Sequence, residues 1–417
     1  MLALTILALC LLTAINYKFA GKALLYPALV FSAVWTLALA LLAVSGGLFY
    51  PVLPETLIIF LCGVLAFSVG CWLAILPATN PPVRSTEFQA SSNRIITVLL
   101  SIVLISAPFY YHWLSNLVSE GDNSPFLLLI RAATQEMMGK SAAFTFFGTI
   151  SELSRIVAMM AFWERDKHPR RSVLAIAVAL VMCGVTGQKS GPLMLIISLI
   201  CIDWIRTRRL RWKLLMVMFF IMIGVATMVE FYVHLGGESF SGNIGAIFRM
   251  FVLYGSGGLV GFDRVVRQPN IIPQFNPIYV TILRIIRRLG GQADIPEVAD
   301  FVNIGPDGFQ DNVYTMFWSY LDFGYIGMLL TVAVLGFIVA LIYKRALAKS
   351  HIFVFLYATL VFSVVFSIFT EYFVSMSYYL LKVCLVSWLV YRLPERWAQF
   401  RRFTGRVTSS DLAARAS

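Results

Sequence analysis

The sequence predicts an all-α polytopic membrane protein with about eleven transmembrane helices and one large outer (periplasmic) loop. Hydrophobic residues make up 59% of the 417 residues and charged residues only 13%, whereas a soluble domain carries about 25% charge. The mean hydropathy is +0.81. The apolar segments are long and uninterrupted, which indicates helices rather than alternating strands. This composition excludes a soluble enzyme, a DNA-binding protein and an outer-membrane barrel.

Eleven apolar segments approach or reach the length of about 20 residues that crosses a bilayer. They are 2–16, 25–48, 55–76, 95–114, 142–163, 172–187, 191–205, 214–234, 325–343, 352–370 and 373–391. The first lacks a basic n-region and a cleavage site, so we interpret it as a short span rather than a signal peptide. The predicted organisation is therefore helices 1–8 in 1–234, a large loop in 235–324, helices 9–11 in 325–391 and a basic tail in 392–417.

The basic residues fall on every second connection and predict the orientation. These connections and the C-terminal tail hold 22 of the 33 Lys and Arg residues. The positive-inside rule makes this side cytoplasmic, so we expect the N-terminus outside and the C-terminus inside. Orientation accounts for the net charge of +12, and no nucleic-acid partner is needed. The six cysteines lie in apolar segments without metal-ligand spacing, so we expect neither metal nor cofactor.

The large outer loop contains an ordered set of arginines. Arg284, Arg287 and Arg288 follow i, i+3, i+4 spacing in YVTILRIIRRLGG (279–291), which puts them on one face of a helix. Isoleucines and leucine supply the other face, so we predict an amphipathic helix at the membrane surface. Guanidinium groups match phosphate geometry, which favours an anion site. A solvated arginine face is the alternative.

Two further segments flank this helix. YGSGGLVGFDRVVRQP (254–269) combines four glycines with Tyr254, Asp263, Arg264 and Arg267. Its glycines suit close approach by a ligand or, equally, tight helix packing. DNVYTMFWSYLDFGYIG (311–327) is rich in aromatic residues. Such rings either stack on sugars or anchor a helix at the membrane interface.

Several ionisable residues lie within or beside the predicted spans. Placing a charge inside a membrane costs free energy, so such residues indicate a structural pair or a functional site. Glu152 and Arg155 are three residues apart and are expected to pair on one helix face, whereas the partner of Lys382 is not evident from sequence. Lys189 lies in the tight outer turn TGQKSGP. It is either the cationic floor of a headgroup site or a snorkelling loop lysine.

Three stretches make the chain resemble the bacterial oligosaccharide repeat-unit polymerases, the O-antigen polymerase (Wzy-type) family. They are YGSGGLVGFDRVVRQP (254–269), NPIYVTILRIIRRLGG (276–291) and, most specifically, NVYTMFWSYLDFGYIG (312–327). The TGQKSG turn is similar to a Gly-x-Arg/Lys turn of the family. The resemblance implies a GT-C-like fold in the bacterial inner membrane with an active site facing the periplasm. It implies undecaprenyl-diphosphate-linked oligosaccharides as substrates, and a chain-length regulator and a flippase as partners.

The resemblance also implies the reaction and the residues that perform it. A growing glycan leaves its lipid diphosphate and joins an incoming lipid-linked unit, without a metal or a nucleotide sugar. Fixed cations would then stabilise the departing diphosphate. The expected catalytic residues are Arg264, Arg287, Asp263, Asp322 and His234. The expected substrate-binding residues are Lys189, Arg249, Arg267, Arg284, Arg288, Tyr254, Asn312, Tyr314, Trp318 and Glu371.

Three other functions stay open. A lipid-linked oligosaccharide flippase would need a cationic cavity through the membrane, with broken helices or internal repeats, and the sequence has its cations mainly outside. An O-antigen ligase would use similar chemistry on a different acceptor. A structural subunit without activity would tolerate substitution of the outer arginines.

Overall fold

The computed structural model describes residues 1–21, 23–75, 89–118, 142–184, 190–209, 211, 216, 244–267, 277–288, 301–306, 308, 310–311 and 313–393. The longer helices are α1 (Leu2–Phe19), α2 (Pro27–Ala43), α3 (Pro54–Ile75), α4 (Gln89–Val118), α5 (Ala142–Trp163), α6 (Pro169–Gly184), α7 (Ser190–Thr207), α8 (Ile244–Arg267), α9 (Pro277–Arg288), α11 (Gly324–Leu347), α12 (His351–Val365) and α13 (Ser377–Ser387). The four-residue α10 (Thr315–Trp318), 3-10 turns at Leu321–Phe323 and Phe366–Ile368, and a π-helical turn at Trp388–Arg392 complete this set.

Six apolar stretches in the described residues are long enough to cross a membrane. They are Leu2–Phe19, Pro54–Ile75, Ser92–Trp113, Ser190–Thr207, Leu321–Leu347 and His351–Ile368, while Pro27–Ala43 is apolar but shorter. The predicted class, an α-helical membrane protein, is therefore confirmed. The full set of eleven spans stays a prediction, and the span at 214–234 lies outside the described residues apart from position 216.

The chain divides into two compact units that do not follow chain order. Unit 1 comprises Met1–Asn80, Ser239–Leu347 and Thr359–Tyr378. Unit 2 comprises Pro81–Glu238, Ala348–Ala358 and Tyr379–Ser417. Each unit thus combines early and late segments of the chain.

In unit 1, α3 and α11 pack backbone against backbone. A Cβ atom at Gly70 would overlap the carbonyl of Ala333, and one at Gly336 would overlap the carbonyl of Phe67. The Cys71 thiol lies 3.2 Å from the Gly336 carbonyl oxygen. Small residues at such contacts let transmembrane helices approach closely, which gives large van der Waals contact where lipid offers no hydrophobic driving force.

A buried asparagine joins the first three helices of unit 1. The two N–H groups of the Asn16 amide face three possible acceptors, the Ala28 carbonyl, the Ser32 hydroxyl and the Ser68 hydroxyl, each 3.1 Å from the amide nitrogen. The amide oxygen accepts from the Trp72 indole at 2.9 Å. Because every polar atom of this amide is satisfied, its burial costs little and fixes how the three helices align.

The predicted outer loop includes a short strand pair that the sequence analysis did not anticipate. Strands β1 (Val302–Asn303) and β2 (Gln310–Asp311) are antiparallel, with Val302 opposite Asp311. The amide of Tyr50 donates to the Ile304 carbonyl at 3.0 Å. This bond attaches the connection between α2 and α3 to the strand pair.

Polar and aromatic contacts join several helix ends within unit 2. Arg165 pairs with Asp203, and Arg206 pairs with Asp166. The His351 ring stacks on Tyr391, with centroids 4.1 Å apart. These contacts join the turn after α5 to the end of α7, and the start of α12 to the segment after α13.

Candidate functional site

The glycines of α8 serve helix packing. A Cβ at Gly258 would come within 2.7 Å of the Ile368 carbonyl oxygen, and one at Gly261 within 2.6 Å of the Val313 carbonyl oxygen. At Gly257 it would lie 2.9 Å from the Asp311 carboxylate. This face of α8 is thus filled by protein, which favours the packing alternative over approach by a ligand.

Asp263 lies at the end of α8 that meets the start of α3. Its side chain is 1% exposed. It accepts hydrogen bonds from the Leu53 amide at 3.0 Å and the Thr56 hydroxyl at 2.7 Å, and it pairs with Arg267. A carboxylate at a helix N-terminus satisfies unpaired N–H groups and complements the helix dipole. With three donors around it, Asp263 positions α3 and Arg267.

Arg264 is held differently from its neighbour Arg267. Its guanidinium carbon lies 3.9 Å from the centre of the Tyr50 ring, a distance that gives a strong cation–π contact. Its Nε is buried without a hydrogen-bond partner. No carboxylate of the described residues forms an ion pair with Arg264. Arg267 also donates to the Pro51 carbonyl at 2.9 Å. The connection between α2 and α3 thus fixes both arginines.

The predicted amphipathic helix forms α9 (Pro277–Arg288). Arg284, Arg287 and Arg288 lie on it with the expected spacing, and their side chains are outside the described part. Val280 is buried, while Ile282 is 49% exposed. Exposed isoleucine together with three arginines on one short helix suits the surface of a membrane.

The aromatic segment after β2 is packed inside unit 1. Tyr314 and Trp318 have ring centroids 5.0 Å apart, and both side chains are almost fully buried. Phe317 stacks on Trp35 at 4.6 Å. The predicted sugar-stacking role of Tyr314 and Trp318 therefore requires that these rings become uncovered. Tyr254, on α8, is 49% exposed and is better placed to meet a sugar.

Glu371 and Asp322 occupy contrasting environments. Glu371 is buried, and its carboxylate accepts hydrogen bonds from the amides of Val374 at 2.7 Å and Ser375 at 3.0 Å. Burial raises the pKa of this carboxyl above its ordinary value, although those hydrogen bonds and the nearby Tyr320 hydroxyl oppose the rise. Asp322, in the 3-10 turn before α11, is exposed.

Other predicted site residues are not placed. His234, Lys189 and Asn312 lie outside the described residues, and Arg249 is described only as part of the α8 backbone. The sequence analysis missed Tyr50 and Thr56. The only signal for Tyr50 was an aromatic residue before a proline in a short connection predicted to lie outside, and Thr56 carried none.

The expectation that Glu152 pairs with Arg155 is wrong. Glu152, on α5, pairs instead with Lys382 on α13. Arg155 lies over the ring of Tyr379, with its guanidinium carbon 4.8 Å from the ring centre. The two helices bring together side chains 230 residues apart in sequence, which local spacing does not reveal.

No protein-family model matches the chain, and comparisons with curated proteins and with solved structures found no significant match.

Proposed function

We propose that the protein is a glycan polymerase that acts at the periplasmic surface of the bacterial inner membrane. It transfers a growing oligosaccharide from undecaprenyl diphosphate to an incoming lipid-linked repeat unit. The acceptor hydroxyl oxygen bonds to the anomeric carbon of the donor sugar. The bond from that carbon to the lipid diphosphate breaks, the hydroxyl proton passes to a base, and undecaprenyl diphosphate leaves.

The observation that carries this proposal is the environment of the Arg264 guanidinium group. Its charge is fixed against Tyr50 and has no carboxylate partner among the described residues, whereas Arg267 is neutralised by Asp263. A preorganised cation that needs no rearrangement is what a developing diphosphate charge requires. The three arginines of α9 follow in sequence and add cations suited to phosphate oxygens.

The contacts of unit 1 support the predicted sidedness. The connection containing Tyr50 and Pro51 contacts Arg264, Arg267 and Ile304. All of these were assigned to the outer side from charge alone. The eleven-span arrangement requires these segments to lie at the same surface.

The contacts of unit 2 support the predicted sidedness at the cytoplasmic surface. Arg165 pairs with Asp203, and Asp166 pairs with Arg206. Arg165 and Asp166 lie in 164–171 and Arg206 lies in 206–213, two segments that were assigned to the cytoplasmic side. Asp203 lies three residues before the second segment, at the end of the predicted span 191–205. Agreement in both units supports the predicted topology, on which the proposed periplasmic site depends.

Among the placed carboxylates, Asp322 suits the role of proton acceptor best. Asp263 and Glu371 are buried and bound by donors of the protein itself. Asp322 is exposed at the start of α11, where an acceptor sugar can reach it. A general base must lie within hydrogen-bond reach of the proton that it removes.

To test this proposal, the chromosomal gene is replaced by one that encodes Arg264→Gln, and the surface glycans are separated on a gel. We expect a fall in polymer of about 100-fold, the usual scale for loss of a preorganised transition-state donor. The ladder should collapse to single repeats at normal protein level. Arg264→Lys should keep part of the polymer, and Lys349→Gln, a charge removal on the predicted cytoplasmic side, should leave the ladder unchanged.

Other results of gene deletion separate the rival functions. Loss of every surface repeat, with lipid-linked units trapped inside, would indicate a flippase. Polymer retained on the lipid carrier would indicate a ligase. An unchanged ladder in a strain without a second polymerase would overturn the proposal.

A further inference from the structure

Unit 2 contains a group of ionisable side chains on two helices, α5 and α13, that the sequence predicts to span the membrane. Glu152 and Arg155 lie near the middle of α5, and Lys382 lies on α13. Lys382 pairs with Glu152 and donates to the Thr149 hydroxyl at 3.1 Å. Because this pair is neutral overall, Arg155 leaves the group with one excess positive charge.

Arg155 has only weak partners among the described residues. Its guanidinium lies over Tyr379, and one terminal nitrogen is 3.9 Å from the Met194 sulfur. Its Nε is buried without a hydrogen-bond partner. No described carboxylate forms an ion pair with it. A guanidinium offers five N–H donors, so most of this capacity remains for a ligand.

The start of α7 adds to the positive character of this place. A Cβ at Gly191, the second residue of α7, would lie 3.9 Å from a terminal nitrogen of Arg155. The N-terminal end of a helix carries a partial positive charge, so it does not compensate a cation. The five residues that precede α7 in sequence, 185–189, contain Lys189 and no acid.

An unbalanced cation within a membrane protein is costly, and such residues pair with a counter-ion. We propose that Arg155, with the Glu152–Lys382 pair beside it, binds the phosphate of an anionic membrane lipid. Guanidinium donors match phosphate oxygens, and a lipid carries its phosphate on apolar chains that can remain in the bilayer. The side chains of Lys382 and Glu152 are 16% and 27% exposed, so a ligand can reach the group.

This site goes beyond the proposed glycan transfer, because its residues belong to unit 2 and its ligand need not be a glycan donor. The lipid phosphate can come from a phospholipid headgroup or from a polyisoprenoid carrier. The two sources share their chemistry and differ in their chains.

The test uses the full-length protein, delipidated in detergent, and native mass spectrometry. The probes are phosphatidylglycerol, undecaprenyl phosphate and zwitterionic phosphatidylcholine. We expect the wild type to retain either anionic lipid, and Arg155→Gln to weaken that binding about tenfold or more, since bonds to charged groups are strong. Arg155→Lys should bind at an intermediate level.

Two variants separate binding from structure. Glu152→Gln removes the negative charge beside Arg155 and Lys382, so it should strengthen retention of the anion. Arg171→Gln removes a cation of α6 that is hydrogen-bonded to Asn93, and it should change retention little. Thermal unfolding of each variant checks that the fold is kept.

The outcomes decide both the site and its source. Preference for undecaprenyl phosphate over phosphatidylglycerol would identify a carrier site, and equal binding would identify a general lipid-phosphate site. Equal retention by wild type and Arg155→Gln would overturn the proposal, as would equal retention of phosphatidylcholine. Weaker binding in Glu152→Gln, with the fold kept, would overturn it as well. Since Arg264 is untouched, failure here leaves the glycan-transfer test unaffected.

Discussion

Neighbouring arginines in α8 differ in what surrounds their charge. Arg267 faces Asp263, and the pair is tied to the start of α3 through Thr56. Arg264 faces the ring of Tyr50, which attracts the cation without neutralising it. Arg267 therefore has a structural role, whereas Arg264 keeps a positive charge that no described carboxylate neutralises.

Replacing Asp263 by Asn should lower the free energy of unfolding by about 1–3 kcal/mol, because a buried hydrogen-bond network loses the negative charge and one of its two acceptor oxygens. Half-exposed Arg267 limits the loss through solvent screening. Thr56→Val removes one donor only and should cost about 1 kcal/mol. Steric trapping in detergent micelles measures both values, and an equal cost for the two variants would contradict this ordering.

Glu371 should make stability depend on pH. Burial raises its pKa in the folded protein, so the folded state holds the proton more tightly than the unfolded state. Stability then falls as pH rises from the ordinary Glu pKa of about 4.3 through the raised folded value. Glu371→Gln should flatten this part of the curve. Thermal unfolding between about pH 4 and pH 8 checks it, and parallel wild-type and variant curves would contradict it.

At the scale of elements, the contact between α3 and α11 depends on two glycines. Gly70 and Gly336 each face a carbonyl of the opposite helix with no room for a methyl group. Neither helix has a buried charge at this contact, so the fit of the two backbones provides the attraction.

Gly70→Ala should therefore destabilise the protein by about 1–3 kcal/mol, the usual cost of overpacking. Gly148 in α5 is the matched control, because a Cβ there would meet nothing within 4 Å. Gly148→Ala should be neutral or stabilise by up to about 1 kcal/mol through helix propensity. Comparison of unfolding in micelles measures the difference. Similar values for the two variants would show that the helices can separate enough to accommodate a methyl group.

For the whole molecule, hydropathy predicted individual helices well and their partners poorly. The segments 55–76 and 325–343 correspond closely to α3 and α11, because apolar length alone marks a helix that can span a membrane. The spacing of Arg284 and Arg287 likewise predicted α9. The contact of Arg264 with Tyr50 was not predictable, because it depends on how distant segments pack.

The aromatic segment shows a second limit of the sequence. Tyr314 and Trp318 have the composition of a membrane-interface or sugar-binding segment, yet both are buried in unit 1. Exposure of an aromatic ring depends on what packs above it, here in part the glycine face of α8. The sequence of the aromatic segment alone does not show which residues will pack over its rings.

The orientation of the whole chain can be tested by cysteine labelling in intact cells. Gln310→Cys, in β2, should react with a membrane-impermeant maleimide, whereas Lys167→Cys should react only after permeabilisation. Both positions are exposed, so access depends on the side of the membrane. A tag at Met1 should be reachable from outside. The parent chain gives the background from the native cysteines, and the reverse labelling pattern would invert the predicted topology.

The glycine contact between α3 and α11 also fixes the distance between two points at the predicted outer surface. α3 begins where Asp263 binds it, and α11 begins just after Asp322. Sliding one helix along the other would drive a carbonyl into a neighbouring side chain, so these two starting points keep a fixed separation. If the protein transfers lipid-linked glycans as proposed, the opening that admits them must come from movement of other segments, such as the arginine-rich α9.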